Sequence, residues 1–148
     1  MKIIAGGAGS GKTKKLMEIA LEYLNDGKSV HIISSKNSAE EIVHRLRLES
    51  AKVGTSYIPE WNHKLIVAYA DTLGKICKEI IDSNYDVILI DKTRKYKTTS
   101  ASADMELITL IASKLNSVTY MTLNTKRELK EGVKVIDGKE IAEIAELM

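Results

Sequence analysis

The chain has few of the residues that mark disulfide-bonded or membrane-embedded proteins. Its one cysteine, Cys77, excludes a disulfide within the chain. No run of 18 uncharged apolar residues occurs, so a membrane span and a membrane partner are not expected. The formal net charge is only +2, so any argument for nucleic-acid binding has to come from local patches. The single proline, Pro59, falls in the least regular stretch, Ser50 to His63, which we expect to be a loop.

What is present fits one α/β domain spanning residues 1–148. Hydrophobic residues make up 44% of the chain and charged residues 28%, which predicts a packed core and a polar surface. Short β-branched runs alternate with helical patterns, which indicates a three-layer fold with a mostly parallel sheet of about five or six strands between helices. The first residues lead directly into a glycine-rich segment and leave no room for a cleavable signal, so a cytoplasmic location is expected.

The expected elements follow from hydrophobic periodicity and from the residues that start and stop helices. Strands are predicted at about Lys2–Ala5, Val30–Ile33, Lys64–Ala68, Val87–Ile90, Val118–Leu123 and Val133–Ile136. The first helix is predicted from Lys12 to about Asn25, with a stop at Gly27. The next two are predicted after a capping box at Ser38 and after a cap at Asp71, and a fourth over Leu107 to Leu115. A last helix is predicted after the caps Asp137 and Glu140, with Ile141, Ile144 and Ala145 facing inward.

The amino-terminal segment carries a complete phosphate-binding loop of the pattern G-x-x-x-x-G-K-[ST]. It follows a predicted strand and opens a predicted helix, as binding requires. Glycines let backbone N–H groups approach phosphate oxygens, and the helix amino terminus adds positive potential. We expect Lys12 to reach the β- and γ-phosphates of ATP and the Thr13 hydroxyl to bind Mg²⁺. The residues predicted to bind nucleotide are Gly6, Gly7, Ala8, Gly9, Ser10, Gly11, Lys12, Thr13 and Lys14.

Asp91 ends the apolar run Val87–Ile90 and is the predicted partner of this loop. A parallel strand that ends in aspartate places a carboxylate at the carboxyl edge of the sheet, beside the phosphate loop, where it would hold Mg²⁺ directly or through water. Asp91 and Lys12 are therefore the predicted catalytic residues, and Thr13 and Asp91 the predicted metal ligands. The alternative is an aspartate that only caps the next segment.

Several stretches together resemble the RecA-fold ATPases, most closely the DnaB-type replicative helicases and their KaiC and RadA relatives. After the phosphate loop, the matching stretches are Leu16 to Ala20, Gly27 to Ser34, Ser35 to Leu46, Val67 to Ile80, Tyr85 to Asp91 and Leu115 to Arg127. The resemblance implies a RecA-like fold, ATP with Mg²⁺ as cofactors, and a homo-oligomer or a larger ATPase partner.

The chain departs from that family at the position of its catalytic glutamate. Lys36 stands just after the second strand, where family members place the glutamate that activates the attacking water, and a protonated lysine is not that base. Lys92 follows Asp91, so the alternative glutamate placement is absent too, and the sensor position corresponds to Asn124 or Thr125. We therefore expect a slow ATPase, unless a neighbouring subunit supplies a catalytic group in trans.

A basic loop follows Asp91 and is a candidate contact for single-stranded DNA. Its basic and aromatic side chains would neutralise phosphates and stack a base. The alternative is a solvated charged loop. The candidate residues are Lys92, Arg94, Lys95, Tyr96 and Lys97.

Three functions stay open from the sequence. One is an ATP-binding RecA-like protein associated with DNA or a DNA-processing assembly. Another is a non-catalytic regulator that uses ATP as a ligand or switch. The third is a small nucleoside or nucleotide kinase, although the arginine-rich lid of nucleotide kinases and the zinc cysteines of the RecA-like thymidine kinases are not evident.

Overall fold

The computed structural model describes residues 2–5, 11–52, 64–91, 107–108, 110–123, 134–137 and 143–146. Within these ranges the strands are β1 (Lys2–Ala5), β2 (Val30–Ser34), β3 (Leu65–Tyr69), β4 (Val87–Asp91), β5 (Val118–Leu123), β6 (Lys134–Asp137) and β7 (Glu143–Glu146). The helices are α1 (Lys12–Asn25), α2 (Ala39–Lys52) and α3 (Leu73–Asp82), and residues 107–108 and 110–112 are also helical.

One sheet of seven strands joins all of these strands in the order β3-β2-β4-β5-β1-β7-β6. The five strands from β3 to β1 in this order are parallel to their neighbours, and β7 and β6 add an antiparallel pair beside β1. The predicted α/β class and mostly parallel sheet are confirmed. The carboxyl ends of the parallel strands share one edge, which is where sheets of this kind bind ligands.

Two apolar cores lie on opposite faces of the sheet, which makes the fold three-layered. The first core contains α1 and α2 with alternate residues of the central strands, including Ile32 and Leu89. The second contains α3 and the helical segment near Ile108, with Ile33 and Ile88 from the same strands. Because successive side chains of a strand point to opposite faces, Ser34 and Asp91 continue the series that faces α1 and α2.

Three helix boundaries follow from specific cap residues. Gly27 has φ of 80°, and the Gly27 and Lys28 N–H groups donate to the carbonyls of Leu24 and Tyr23, which closes α1 as a Schellman motif. Ser38 Oγ accepts from the Glu41 N–H at 3.2 Å, as a capping box requires. The predicted cap of α3 is off by one residue, because Thr72 accepts from the Lys75 N–H while Asp71 pairs with the Lys75 ammonium.

The predicted last helix is wrong. Residues Glu143–Glu146 form β7, which pairs antiparallel with β1 from Lys2↔Glu146 to Ala5↔Glu143. The helical spacing of Ile141, Ile144 and Ala145 misled the prediction, because pairing with the free side of β1 is a tertiary effect that local periodicity does not contain.

Within the described residues, no helix combines the length and the apolarity needed to cross a membrane.

Candidate nucleotide-binding site

The amino terminus of α1 begins at the end of the phosphate-loop motif. Gly11 has φ of 87° in the left-handed region, and its carbonyl accepts from the Lys15 N–H at 2.9 Å as the first turn of the helix. A glycine adopts this backbone without strain and brings no side chain that would cap the helix. Such an uncapped helix start suits an anion, since N–H groups and the helix dipole both favour negative charge there. Gly6, Gly7, Ala8, Gly9 and Ser10 lie outside the described residues.

Asp91 lies at the carboxyl end of β4 and joins two hydroxyl groups from other elements. Thr13 Oγ1 in the first turn of α1 donates to Asp91 Oδ2 at 3.1 Å. Thr122 Oγ1 on β5 donates to Asp91 Oδ1 at 3.3 Å. The sheet order explains this meeting, because β5 is paired with β4 and the register partner of Ile90 is Met121, so that Thr122 lies beside Asp91 on the neighbouring strand. The predicted pairing of Asp91 with the phosphate loop is thus present at Thr13.

Burial dominates the electrostatics of Asp91. Its side chain is fully buried, which raises the pKa of the carboxyl above its usual range. The hydrogen bonds from Thr13 and Thr122 oppose that rise, since they favour the ionised form. The positive charges of Lys36 and Arg45 act in the same direction as these hydrogen bonds. Burial therefore disfavours the ionised carboxylate, whereas the two hydroxyls and the two positive side chains favour it.

Lys12 is buried at the same place. Only 7% of the residue is exposed, and this burial lowers the pKa of its ammonium. The negative charge of Asp91 raises that pKa, and the positive charge of Lys36 lowers it further. Lys12, Asp91 and Lys36 therefore act on one another at the carboxyl edge of the sheet. A polyanion bound there would relieve the mutual repulsion of the two lysines.

The site has oxygen donors of the type that Mg²⁺ prefers. A hydroxyl and a carboxylate 3.1 Å apart suit a hard cation that takes only one or two protein ligands and completes its shell with phosphate and water oxygens. In the described part of the chain, no group of three His, Cys, Asp or Glu residues could hold a metal by itself. Thr13 and Asp91 thus fit Mg²⁺ bound together with a nucleotide.

A small cavity of about 150 Å³ adjoins Thr13 between α1 and α2. The predicted ligand Lys14 is exposed and lines this cavity, as does Arg45. The other lining residues are Met17, Leu48, Glu49 and Lys52. Lys14 and Arg45 therefore bring positive charge to the cavity beside Thr13, whereas Lys52 pairs with Glu49 at 3.2 Å.

Two residues of this edge were missed by sequence reasoning. Thr122 is the fifth residue of β5, and its role depends on the strand order, which the sequence does not reveal. Asn37 follows Lys36 and is buried. A polar residue just after the end of a predicted strand could have indicated it as a site residue. The predicted DNA contacts Lys92, Arg94, Lys95, Tyr96 and Lys97 lie outside the described residues, as do Asn124 and Thr125.

Neither kind of sequence comparison identifies a relative. No protein-family model matches the chain. No curated protein matches it either.

Solved structures do resemble the fold. The flagellar accessory protein FlaH from Methanocaldococcus jannaschii superimposes with a TM-score of 0.58 and 15% identity, over 99% of this chain and 76% of that one. The KaiC-like protein PH0186 from Pyrococcus horikoshii OT3 superimposes with a TM-score of 0.57 and 15% identity, over 99% of this chain and 77% of that one. At this identity the likeness concerns the fold alone. The chain therefore shares the three-layer, RecA-like α/β fold of these two proteins.

Proposed function

We propose that this chain binds a nucleoside triphosphate with Mg²⁺ at Lys12, Thr13 and Asp91, hydrolyses it slowly, and serves as a nucleotide-dependent regulator. The observation that carries the proposal is the 3.1 Å hydrogen bond between Thr13 Oγ1 and Asp91 Oδ2. It joins the last residue of the phosphate-loop motif to the carboxylate at the end of β4. A chance match to the motif would not require these two groups to meet.

Each group has a defined task in this proposal. The Lys12 ammonium neutralises the β- and γ-phosphates, and the start of α1 adds its N–H groups and dipole. Thr13 and Asp91 hold Mg²⁺, which neutralises phosphate charge when it is bound. Thr122 fixes the Asp91 carboxylate from the side of β5 through its hydrogen bond. Positioning and charge neutralisation are thus provided for, and both are requirements of phosphate binding.

The proposal of slow turnover rests on Lys36. This exposed lysine follows β2 and brings positive charge to Asp91 and Lys12, where the RecA-fold relatives that the sequence resembles carry a glutamate base. The carboxylates of Glu40 and Glu41 are exposed in the first turn of α2, a place where acidic groups stabilise the helix dipole. Neither has the buried setting of a tuned base.

The test is an ATP-binding titration with and without Mg²⁺, together with steady-state hydrolysis with and without single-stranded DNA. We expect Mg²⁺-dependent binding, loss of binding in Lys12→Ala, and turnover that DNA leaves unchanged. Binding with DNA-stimulated turnover would favour a motor associated with DNA and contradict the regulator. Turnover per chain that rises with protein concentration would support a catalytic group supplied by a neighbouring copy in an oligomer.

Replacement of Lys36 by glutamate tests the missing base directly. We expect Lys36→Glu to raise the hydrolysis rate at saturating ATP by about tenfold or more, since a positioned general base contributes about 10²–10⁴-fold. Lys78→Glu on α3 is the matched control, because Lys78 is also exposed but belongs to the helix on the opposite face. If Lys36→Glu and Lys78→Glu hydrolyse ATP equally slowly, the account of the missing base is wrong.

A further inference from the structure

Four hydrogen bonds hold the loop between β2 and α2, two to the last residue of β2 and two to the last residue of β4. The buried Ser34 Oγ accepts from the Lys36 N–H at 3.3 Å and from the Asn37 N–H at 3.0 Å. The Ser35 N–H and hydroxyl both donate to the Asp91 carbonyl, at 3.2 and 3.3 Å. The positions of Lys36 and Asn37 are therefore set relative to Asp91, as a ligand-binding loop requires.

Asn37 carries an unused hydrogen-bond donor in this loop. The residue is only 6% exposed, and its Nδ2 has no hydrogen-bond partner among the residues that the structure describes. A buried donor left unsatisfied destabilises the folded chain, because it has lost its hydrogen bond to water. Such a group in a rigid loop next to a binding site suggests that a ligand supplies the missing acceptor.

Lys36 adds a charge to the same loop. Its side chain is exposed, and it lies two residues after Ser34, whose register partner on β4 is Asp91. It therefore lies at the same edge of the sheet as the groups that hold the metal and the phosphates in the proposed function. Lys36 and Asn37 together offer a cation and an amide donor, a combination that suits a phosphate oxygen.

We propose that Lys36 and Asn37 bind the terminal phosphate of the nucleoside triphosphate, so that the β2–α2 loop distinguishes the triphosphate from the diphosphate. This inference rests on the proposed function. In this proposal the position after β2, where the family that the sequence resembles carries a catalytic base, instead recognises the terminal phosphate that hydrolysis would remove. A protein built in this way holds the triphosphate state and releases the diphosphate, which is the behaviour of a switch rather than a motor.

The experiment compares the affinities of ATP and ADP in the presence of Mg²⁺ by calorimetry. Asn37→Asp replaces the amide donor by an acceptor of nearly the same shape, and Lys36→Ala removes the cation from an exposed position. We expect each variant to weaken ATP binding by about tenfold or more and to leave ADP binding within about twofold, since a hydrogen bond to a charged group contributes about 1.5–3 kcal/mol. Lys78→Ala is the control and should change neither affinity.

The outcomes separate the two proposals. If the unmodified chain binds neither nucleotide, the proposed function is wrong and the inference falls with it. If the unmodified chain binds both nucleotides but the variants weaken ATP and ADP equally, or neither, the loop does not read the terminal phosphate while the proposed function stands. Lys36→Ala keeps this decision available if Asn37→Asp does not fold, because an exposed lysine is not needed for packing.

Discussion

Asp91 combines its proposed role in binding with a cost in stability. Burial raises the pKa of its carboxyl, so the folded chain holds this proton more tightly than the unfolded chain does. The stability contribution of such a group is present below its unfolded pKa of about 3.8 and is lost as the pH rises through the folded value. At pH 7 the ionised Asp91 therefore lowers the free energy of unfolding.

Asp91→Asn should show this trade-off. The amide removes the buried charge and can still bond to the hydroxyls of Thr13 and Thr122, so we expect the nucleotide-free chain to gain about 1 kcal/mol at pH 7. Mg²⁺-dependent ATP binding should be lost, because the amide is a poor ligand for a hard cation. Urea unfolding and calorimetry measure the two effects. A variant that is less stable without nucleotide would show that the carboxylate stabilises the fold.

His31 is another buried titratable residue, and it lies on the sheet face opposite Asp91. Its Nε2 lies 3.0 Å from Glu79 Oε2, its Nδ1 lies 3.0 Å from Ser83 Oγ, and its ring packs beside Tyr85. Burial lowers the pKa of the imidazole below its ordinary 6.5, and the charge and hydrogen bond of Glu79 oppose this shift. The folded chain thus favours neutral His31, which donates to Glu79 and accepts from Ser83.

This shift predicts acid sensitivity. Because the unfolded chain binds the proton more readily, the free energy of unfolding should fall as the pH drops below about 6.5. We expect urea unfolding to report lower stability at pH 5.5 than at pH 7.5, with a smaller loss in His31→Gln. The control is His44→Gln, which changes an exposed histidine. Equal pH dependence in both variants would mean that His31 does not cause the effect.

At the scale of the elements, two glycines allow a matched test of backbone conformation. Gly27 closes α1 with φ of 80°, and among the described residues a Cβ added there would meet only Lys64 Nζ at 3.6 Å, an ordinary contact. Gly74 lies in the first turn of α3 at negative φ, and no atom of the described part of the chain lies within 4 Å of a Cβ added there. Gly27→Ala should therefore cost about 1 kcal/mol through backbone strain alone. Gly74→Ala should gain about 0.5–1 kcal/mol through helix propensity.

Urea unfolding of both glycine variants decides this prediction. Opposite signs would confirm that the left-handed backbone at Gly27, rather than any loss of space, ends α1. If Gly27→Ala were as stable as the parent chain, the Schellman closure would be unimportant for the fold.

The elements also show what local sequence contains. The bounds of α1 were predicted correctly, since a phosphate-loop motif precedes it and Gly27 ends it, and both signals are local. The strand β7 was predicted as part of a helix, because its pairing with β1 joins residues about 140 positions apart. Thr122 was missed for the same reason, since strand order decides which strand ends meet Asp91. Motifs and helix ends could thus be predicted from neighbouring residues, whereas contacts that depend on strand order could not.

For the whole molecule, the site depends on elements that are distant in the chain. Thr13 comes from α1, Asp91 from β4 and Thr122 from β5, so the hydrogen bonds of the site exist only when all three elements are in place. A nucleotide that binds this arrangement binds the folded chain and not the unfolded one. Nucleotide binding should therefore raise the free energy of unfolding of the whole chain.

Thermal unfolding with increasing MgATP tests this coupling. At 100 times the dissociation constant the folded chain should gain about 2.7 kcal/mol, which corresponds to a rise in Tm of roughly 5–10 °C for a chain of this size. Lys12→Ala should lose most of this rise, because it removes a phosphate contact that the other residues do not replace. If MgATP still stabilises Lys12→Ala, the nucleotide binds at another site, because binding at the proposed site requires the Lys12 ammonium.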